Sequence, residues 1–366
     1  MKIRLIRATA MMAAVALLVA ACGSETGGEA SDTPAPETSA APDTTESGDL
    51  GDDTAETSQW GIPVVDPLDV DAGVDVGIAG SSTVFPLSTA VLSQWIDEGG
   101  PEYSIDSIGS GGGFERVCVE GASDISNASR PIKPEEVESC NAIGREPIEI
   151  RVGTDALSVV ISADNYFAQE MTMEEVAAAF SASQGDTWAD INPAWPAHPI
   201  QFFTPGADSG TFDYFNEEVF DEADPSPMLS ATAGNIVGED DNVTVQGVSG
   251  DGCTEGDTSS TCAIGYFGFA FFAENADVLQ AVAVDAGQGP AAPGDDSVNE
   301  GTYPLARPLY MYTDAGVIEA KPQVAEFIAY YLNNVNHLIG DVGYFPAPDA
   351  TLQEAADAIA VAAGWR

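Results

Sequence analysis

A chain of 366 residues has room for two domains of ordinary size. Its 11 Lys and Arg stand against 59 Asp and Glu, a formal charge of −48 that disfavours nucleic-acid binding and attachment to anionic lipid through a basic patch. With 44% hydrophobic residues, including 15 Phe, 10 Tyr and 5 Trp, it can build a large packed core, which excludes disorder along the whole chain.

Lys2, Arg4 and Arg7 precede a short apolar run, Ala8 to Ala21. A spanning helix needs ~20 apolar residues, so residues 1–22 read as a secretory signal peptide. The run closes on Leu18-Val19-Ala20-Ala21-Cys22. Small residues before a cysteine resemble a lipobox, in which Cys22 is acylated and becomes the mature N-terminus. The expected location is therefore the extracytoplasmic face of the cell membrane. Residues 23–58 are Gly, Ser, Thr, Ala, Pro, Asp and Glu with almost no large apolar residue and no Lys or Arg. Such a segment cannot offset its chain entropy by burial and is expected to be an acidic tether with a typical span of ~30–35 Å. Folded sequence is expected to begin near Trp60.

Val74 to Ala79 reads as a strand, and Leu87, Val91, Leu92 and Trp95 share one helical face after it. Ile148 to Val152, Ser158 to Ile161 and Pro199 to Phe203 are further strand candidates. Thr172 and Glu175 form a capping box opening a helix from Met173 to Phe180. Phe212, Phe215 and Val219, then Val324, Phe327, Ile328 and Tyr331, repeat at helical spacing. Strands alternating with helices imply an α/β protein with largely parallel sheets, whose ligands sit where strands end and helices begin. Apart from Cys22, the cysteines are Cys118, Cys140, Cys253 and Cys262, an even number suited to disulfides in an exported chain. Three pairings are open, and the local ones, Cys118–Cys140 and Cys253–Cys262, are favoured. No C-x-x-C occurs, and no metal or cofactor is expected.

Three polar, glycine-bearing loops each precede a helical segment: Gly80 to Val84, Gly109 to Gly113, and Gly206 to Thr211. Backbone N–H groups, helix N-termini and hydroxyls together make an anion site that needs no net positive charge. That matters because the long-range field of this chain repels anions. A Walker A loop is absent, and the second loop lacks the spacing of a dinucleotide fingerprint.

The strings GSSTVFPLS (Gly80 to Ser88), IGSGGGF (Ile108 to Phe114), DISNASRPI (Asp124 to Ile132), DSGTFDYF (Asp208 to Phe215), AIGYFGFAFF (Ala263 to Phe272) and YPLARPLYMY (Tyr303 to Tyr312) occur in that order. They resemble the phosphate-binding proteins of bacterial ABC transporters, the PstS family. The resemblance implies a two-lobed periplasmic-binding-protein type II fold, each lobe a mainly parallel sheet flanked by helices, with the ligand in the interlobe cleft. Lobe 1 is then expected over residues 59–155 and 301–366, and lobe 2 over 156–300. The implied function is non-catalytic capture of inorganic phosphate and delivery to permease subunits of an ABC importer, by a monomer held to the membrane through Cys22. Carried over by position, Thr83 and Val84 hold phosphate through backbone N–H groups, with Ser82 sharing the role. Ser110, Ser209, Gly210 and Thr211 add hydroxyl and N–H donors.

The chain departs from the better-known branch in two places. Arg130 stands where that branch has an Asp that accepts the ligand's proton, and Pro205 stands near its Arg before Ser-Gly-Thr. Arg130 is therefore expected to supply the cation, with Asp208 a candidate acceptor. Alternatives are a receptor for another oxyanion, a phosphate sensor of the same fold, and a secreted serine hydrolase using Ser209. The last needs a histidine base, and the chain has two, His198 and His337, both expected to be structural.

Overall fold

The computed structural model describes residues 56–181, 187–206, 209–220, 235–236, 240–250 and 253–366. The signal peptide, Cys22, nearly all of the tether and Asp208 lie outside them. In chain order the first elements are β1 (Gly77–Gly80), α1 (Phe85–Asp97), β2 (Ser104–Ser107), α2 (Gly109–Cys118), β3 (Ile125–Ala128), α3 (Pro134–Ala142) and β4 (Pro147–Ser162). There follow β5 (Glu170–Thr172), α4 (Met173–Ala179), α5 (Trp188–Ile191), β6 (Ile200–Thr204), α6 (Gly210–Val219), β7 (Asn235–Ile236) and α7 (Asp241–Ser249). Next come β8 (Cys262–Gly268), α8 (Phe269–Glu274), β9 (Leu279–Ala281), β10 (Ala283–Asp285) and α9 (Asp295–Asn299). The chain ends in β11 (Ala306–Asp314), α10 (Ala315–Ala320), α11 (Pro322–Val342), β12 (Phe345–Pro346) and α12 (Asp349–Ala362).

One sheet carries the order β2-β1-β3-β11-β4-β8-β6-β7. Its arms, β2-β1-β3 and β8-β6-β7, are parallel, the pairing that requires crossover connections. The centre is antiparallel: β11 pairs with β3 and β4, and β4 pairs with β8. The two segments Ile148 to Val152 and Ser158 to Ile161, expected as separate strands, are one 16-residue strand. Gly153 lies between them. In the fold it is a close approach, since a Cβ there would collide with Ile339 and stand 3.1 Å from the Phe345 carbonyl oxygen.

The two largest of four buried clusters among the described residues flank this central pair. The first buries Leu87, Val91 and Trp95 of α1 against Val324, Phe327, Ile328 and Tyr331 of α11, all at 0% exposure, so both helical faces expected from spacing are used. Trp95 meets the Phe327 ring edge-on at 5.4 Å and bonds the Pro101 carbonyl through its indole N–H. The second core stacks Phe215 of α6 on Tyr266 of β8 at 3.9 Å, with Phe180 edge-on to both. Thr172 caps α4 as expected: its Oγ1 accepts from Glu175 N, and Glu175 Oε2 accepts from Thr172 N. Disulfides join Cys118 to Cys140 and Cys253 to Cys262, the two local pairings.

Candidate functional site

Gly80 ends β1 at φ +143°, where a Cβ would collide with the Asn127 carbonyl, so the first loop can leave the sheet only with glycine there. Ser81 is buried, and its Oγ accepts from Thr83 N at 3.2 Å and Val84 N at 3.4 Å. The loop is thereby folded into a tight turn that opens α1. Ser82 and Thr83 face a cavity of about 460 Å³, whereas Val84 has 0% exposure and is not among its lining residues.

The second glycine string is not a loop before a helix. It is the first turn of α2 itself, despite glycine's poor helix propensity. Packing requires this, because a Cβ on Gly113 would lie 2.6 Å from Ser126 Oγ and 2.7 Å from Gly80 Cα. The N-terminus of α2 is thus pressed against β1 and presents Gly109, Ser110 and Gly111 to the same cavity. Ser110 Oγ accepts from Ser129 N at 3.1 Å and lies 3.3 Å from Ser129 Oγ.

The third string reaches the cavity from the other core. Ser209 caps α6, its Oγ accepting from Thr211 N at 3.2 Å, and Gly210 lines the cavity. A Cβ on Gly210 would stand 3.9 Å from Ser82 Oγ, so the first and third strings face each other. Ser209 is buried behind this turn, and neither it nor Thr211 is a lining residue.

Arg130, Lys133 and Arg307 also line the cavity, against two carboxylates, Glu217 and Glu218. In a chain with five times more acids than bases, this local balance is inverted. Arg130 follows β3 and forms a forked pair with Glu136, Nη1 to Oε2 at 2.9 Å and Nη2 to Oε1 at 2.8 Å. Its guanidinium lies 5.3 Å from the centre of the Phe114 ring. Burial alone raises the Glu136 carboxyl, but the Arg130 hydrogen bond and the Lys133 N–H outweigh it and hold the group below its ordinary value.

Arg307 is the residue that spacing and resemblance did not single out. It lies on β11 directly opposite Asp155 on β4, with Nε and Nη2 each 3.1 Å from Asp155 Oδ2. Nη2 also donates to Thr83 Oγ1 at 2.6 Å, and the guanidinium sits 3.6 Å above the Tyr214 ring. Tyr344 donates to the Thr83 carbonyl at 2.9 Å. Burial raises the Tyr214 hydroxyl well above its usual value although Arg307 opposes this. Nothing local marks the pair in the sequence: β4 also carries Glu149 and Arg151, and β11 also carries Asp314, so neither charge stands out within its strand.

The remaining candidates are placed elsewhere. His198 is fully buried, its Nε2 2.9 Å from the Tyr166 hydroxyl and its Nδ1 2.9 Å from the Ser260 carbonyl, so neither ring nitrogen serves Ser209. It lies with Cys253 and Cys262 in a metal-sized group, but their sulfurs are joined to each other. His337 sits on the exposed side of α11. Among the described residues no helix is long and apolar enough to cross a membrane.

The model of the PBP superfamily domain matches residues 35–335. Protein SphX of Synechococcus elongatus is 39% identical over 275 residues, covering 74% of this chain and 76% of the relative. The phosphate-binding protein PstS of Staphylococcus saprophyticus is 33% identical over 279 residues, covering 75% and 82%. Among solved structures, a possible phosphate binding protein from Planctomyces limnophilus superposes with a TM-score of 0.69 at 34% identity, covering 79% of this chain and 98% of that one. The ABC-type phosphate transport receptor of Vibrio cholerae shares the fold, with a TM-score of 0.59 at 20% identity. The curled α/β sheet with two cores and a cavity between them is accordingly the two-lobed periplasmic-binding-protein fold, and the chain belongs to the PstS family of substrate-binding proteins.

Proposed function

We propose that the protein is an extracytoplasmic lipoprotein, anchored through Cys22, that captures inorganic phosphate between its lobes and hands it to the permease of an ABC importer. It acts as a binding protein and not as an enzyme. Lobe 1 comprises residues 59–155 and 301–366, and lobe 2 residues 156–300. The ligand is held by hydroxyl and N–H donors of Ser82, Thr83, Val84, Ser110, Ser209, Gly210 and Thr211, with Arg130 supplying charge from lobe 1. One observation carries this reading: three short polar strings, far apart in sequence and starting three different helices, meet at one cavity. Helix N-termini and hydroxyls favour a small oxyanion, and the relatives named as phosphate-binding proteins supply the identity of that anion.

Three of these donors need rearrangement to serve. Thr83 N and Val84 N are bonded to Ser81 Oγ and Thr211 N to Ser209 Oγ, so a ligand reaching them must displace or share those hydroxyls. Calorimetric titration of the purified protein with phosphate, arsenate and sulfate tests the reading. Saturable binding of phosphate is expected, and Ser110→Ala is expected to weaken it by ~1–3 kcal/mol, the cost of one lost hydroxyl donor in a site that retains its amides. No saturable heat with any of the three anions would remove the proposal.

A further inference from the structure

We propose that Arg307 is the principal cation for the bound anion, with Asp155 as the residue that positions it. This rests on the oxyanion-binding reading of the same cavity. The Arg307 side chain is 10% exposed, deep between the lobes, whereas that of Arg130 is 29% exposed. A charge–anion contact strengthens as water is excluded, so the deeper guanidinium has the larger effect.

Prior engagement points the same way. The Arg130 fork is closed on both oxygens of Glu136, and its Nη1 also donates to the Pro131 carbonyl. Arg307 meets one oxygen of Asp155, which receives from Nε and Nη2, and its Nη2 also donates to a neutral hydroxyl, Thr83 Oγ1, at the cavity wall. Thr83 can turn that hydroxyl toward a ligand while Arg307 keeps its Asp155 anchor. An arginine held on one edge by a carboxylate and on its face by an aromatic ring is pre-oriented, so little side-chain freedom remains to be lost on binding.

The location gives Arg307 a second property. It stands on β11, stacks on Tyr214 of α6 in the second core, and donates to Thr83 of the first loop, so a single guanidinium touches elements from both sides of the cavity. An anion joining it couples its own charge to the contact between the lobes.

The test is calorimetry on the full-length protein with phosphate, arsenate and sulfate, comparing wild type with Arg307→Gln, Arg307→Lys, Asp155→Asn, Arg130→Gln and, as a charge control outside the cavity, Arg116→Gln. Circular dichroism and thermal melts establish that each variant is folded, and Arg307→Lys keeps the test available should Arg307→Gln not fold. Arg307→Gln is expected to weaken binding at least ~30-fold, with Arg307→Lys intermediate and Arg116→Gln unchanged. Arg130→Gln is expected to lose at least tenfold less than Arg307→Gln. Asp155→Asn is expected to weaken binding less than Arg307→Gln, because the charge remains but its aim is lost. Phosphate binding within threefold of wild type in both folded Arg307 variants would overturn the assignment and leave the phosphate reading intact. Preference for sulfate, lost in Arg307→Gln, would overturn phosphate and retain Arg307. Failure of wild type to bind any of the three anions would overturn both.

Discussion

At the scale of single residues, the pairing of Arg130 with Glu136 sets a pH dependence. Glu136 titrates below the ordinary carboxylate range in the folded protein. A lowered folded value means the ionised pair contributes stability above the unfolded pKa of ~4.3, and the contribution fades as pH falls through the folded value. Glu136→Gln is therefore expected to be less stable than wild type near neutrality, with the gap in melting temperature closing on acidification. A gap constant from pH 7 to pH 3 would contradict the assignment. At this scale the sequence was partly readable. Ser82, Thr83, Ser110, Arg130 and Gly210 were singled out and all line one cavity. Arg307 escaped because its partners, Asp155 and Thr83, lie 152 and 224 positions away, and nothing local announces such contacts.

Among the elements, helices were the most legible. A buried face repeats every three to four residues, and the faces of α1 and α11 could be read directly. Strand limits were less so. β4 shows in the sequence as two apolar runs, Ile148 to Val152 and Ser158 to Ile161, and the segment between them, with Gly153, Thr154 and Asp155, has no strand pattern of its own although it continues the strand. The GSGGG string also misled, since glycines that look like a loop are in fact the price of packing α2 against β1. That contact gives a prediction. Gly113→Ala should improve helix propensity yet destabilise the protein by ~1–3 kcal/mol through overpacking, measurable by urea unfolding. Stabilisation by that substitution would mean that α2 stands farther from the sheet. Among capping signals, Thr172→Ala should cost ~1 kcal/mol, because α4 loses the hydroxyl that receives Glu175 N; an unchanged midpoint would show the box to be idle.

Across the whole molecule, β4 contributes its first part to the β11 pairing and its second to β8 and β9, so the same strand supports both cores. Neither core can release it without disturbing the other. Thermal unfolding is expected as a single transition, with calorimetric and van't Hoff enthalpies equal; two resolved transitions would show the lobes to be independent. The alternation of strands and helices foretold the α/β class, but not the antiparallel centre. That centre depends on β11 returning from the end of the chain, which no local pattern encodes.

The same return has a bearing on how the protein comes into being. β11 lies between β3 and β4 in the sheet, although some 140 residues are synthesised between β4 and β11. Until those residues have been made, a strand-wide gap must stay open and the hydrophobic faces awaiting α11 stay wet. A nascent chain made from its N-terminus therefore cannot complete this sheet early, and native assembly waits for the last sixth of the polypeptide, from Ala306 onward.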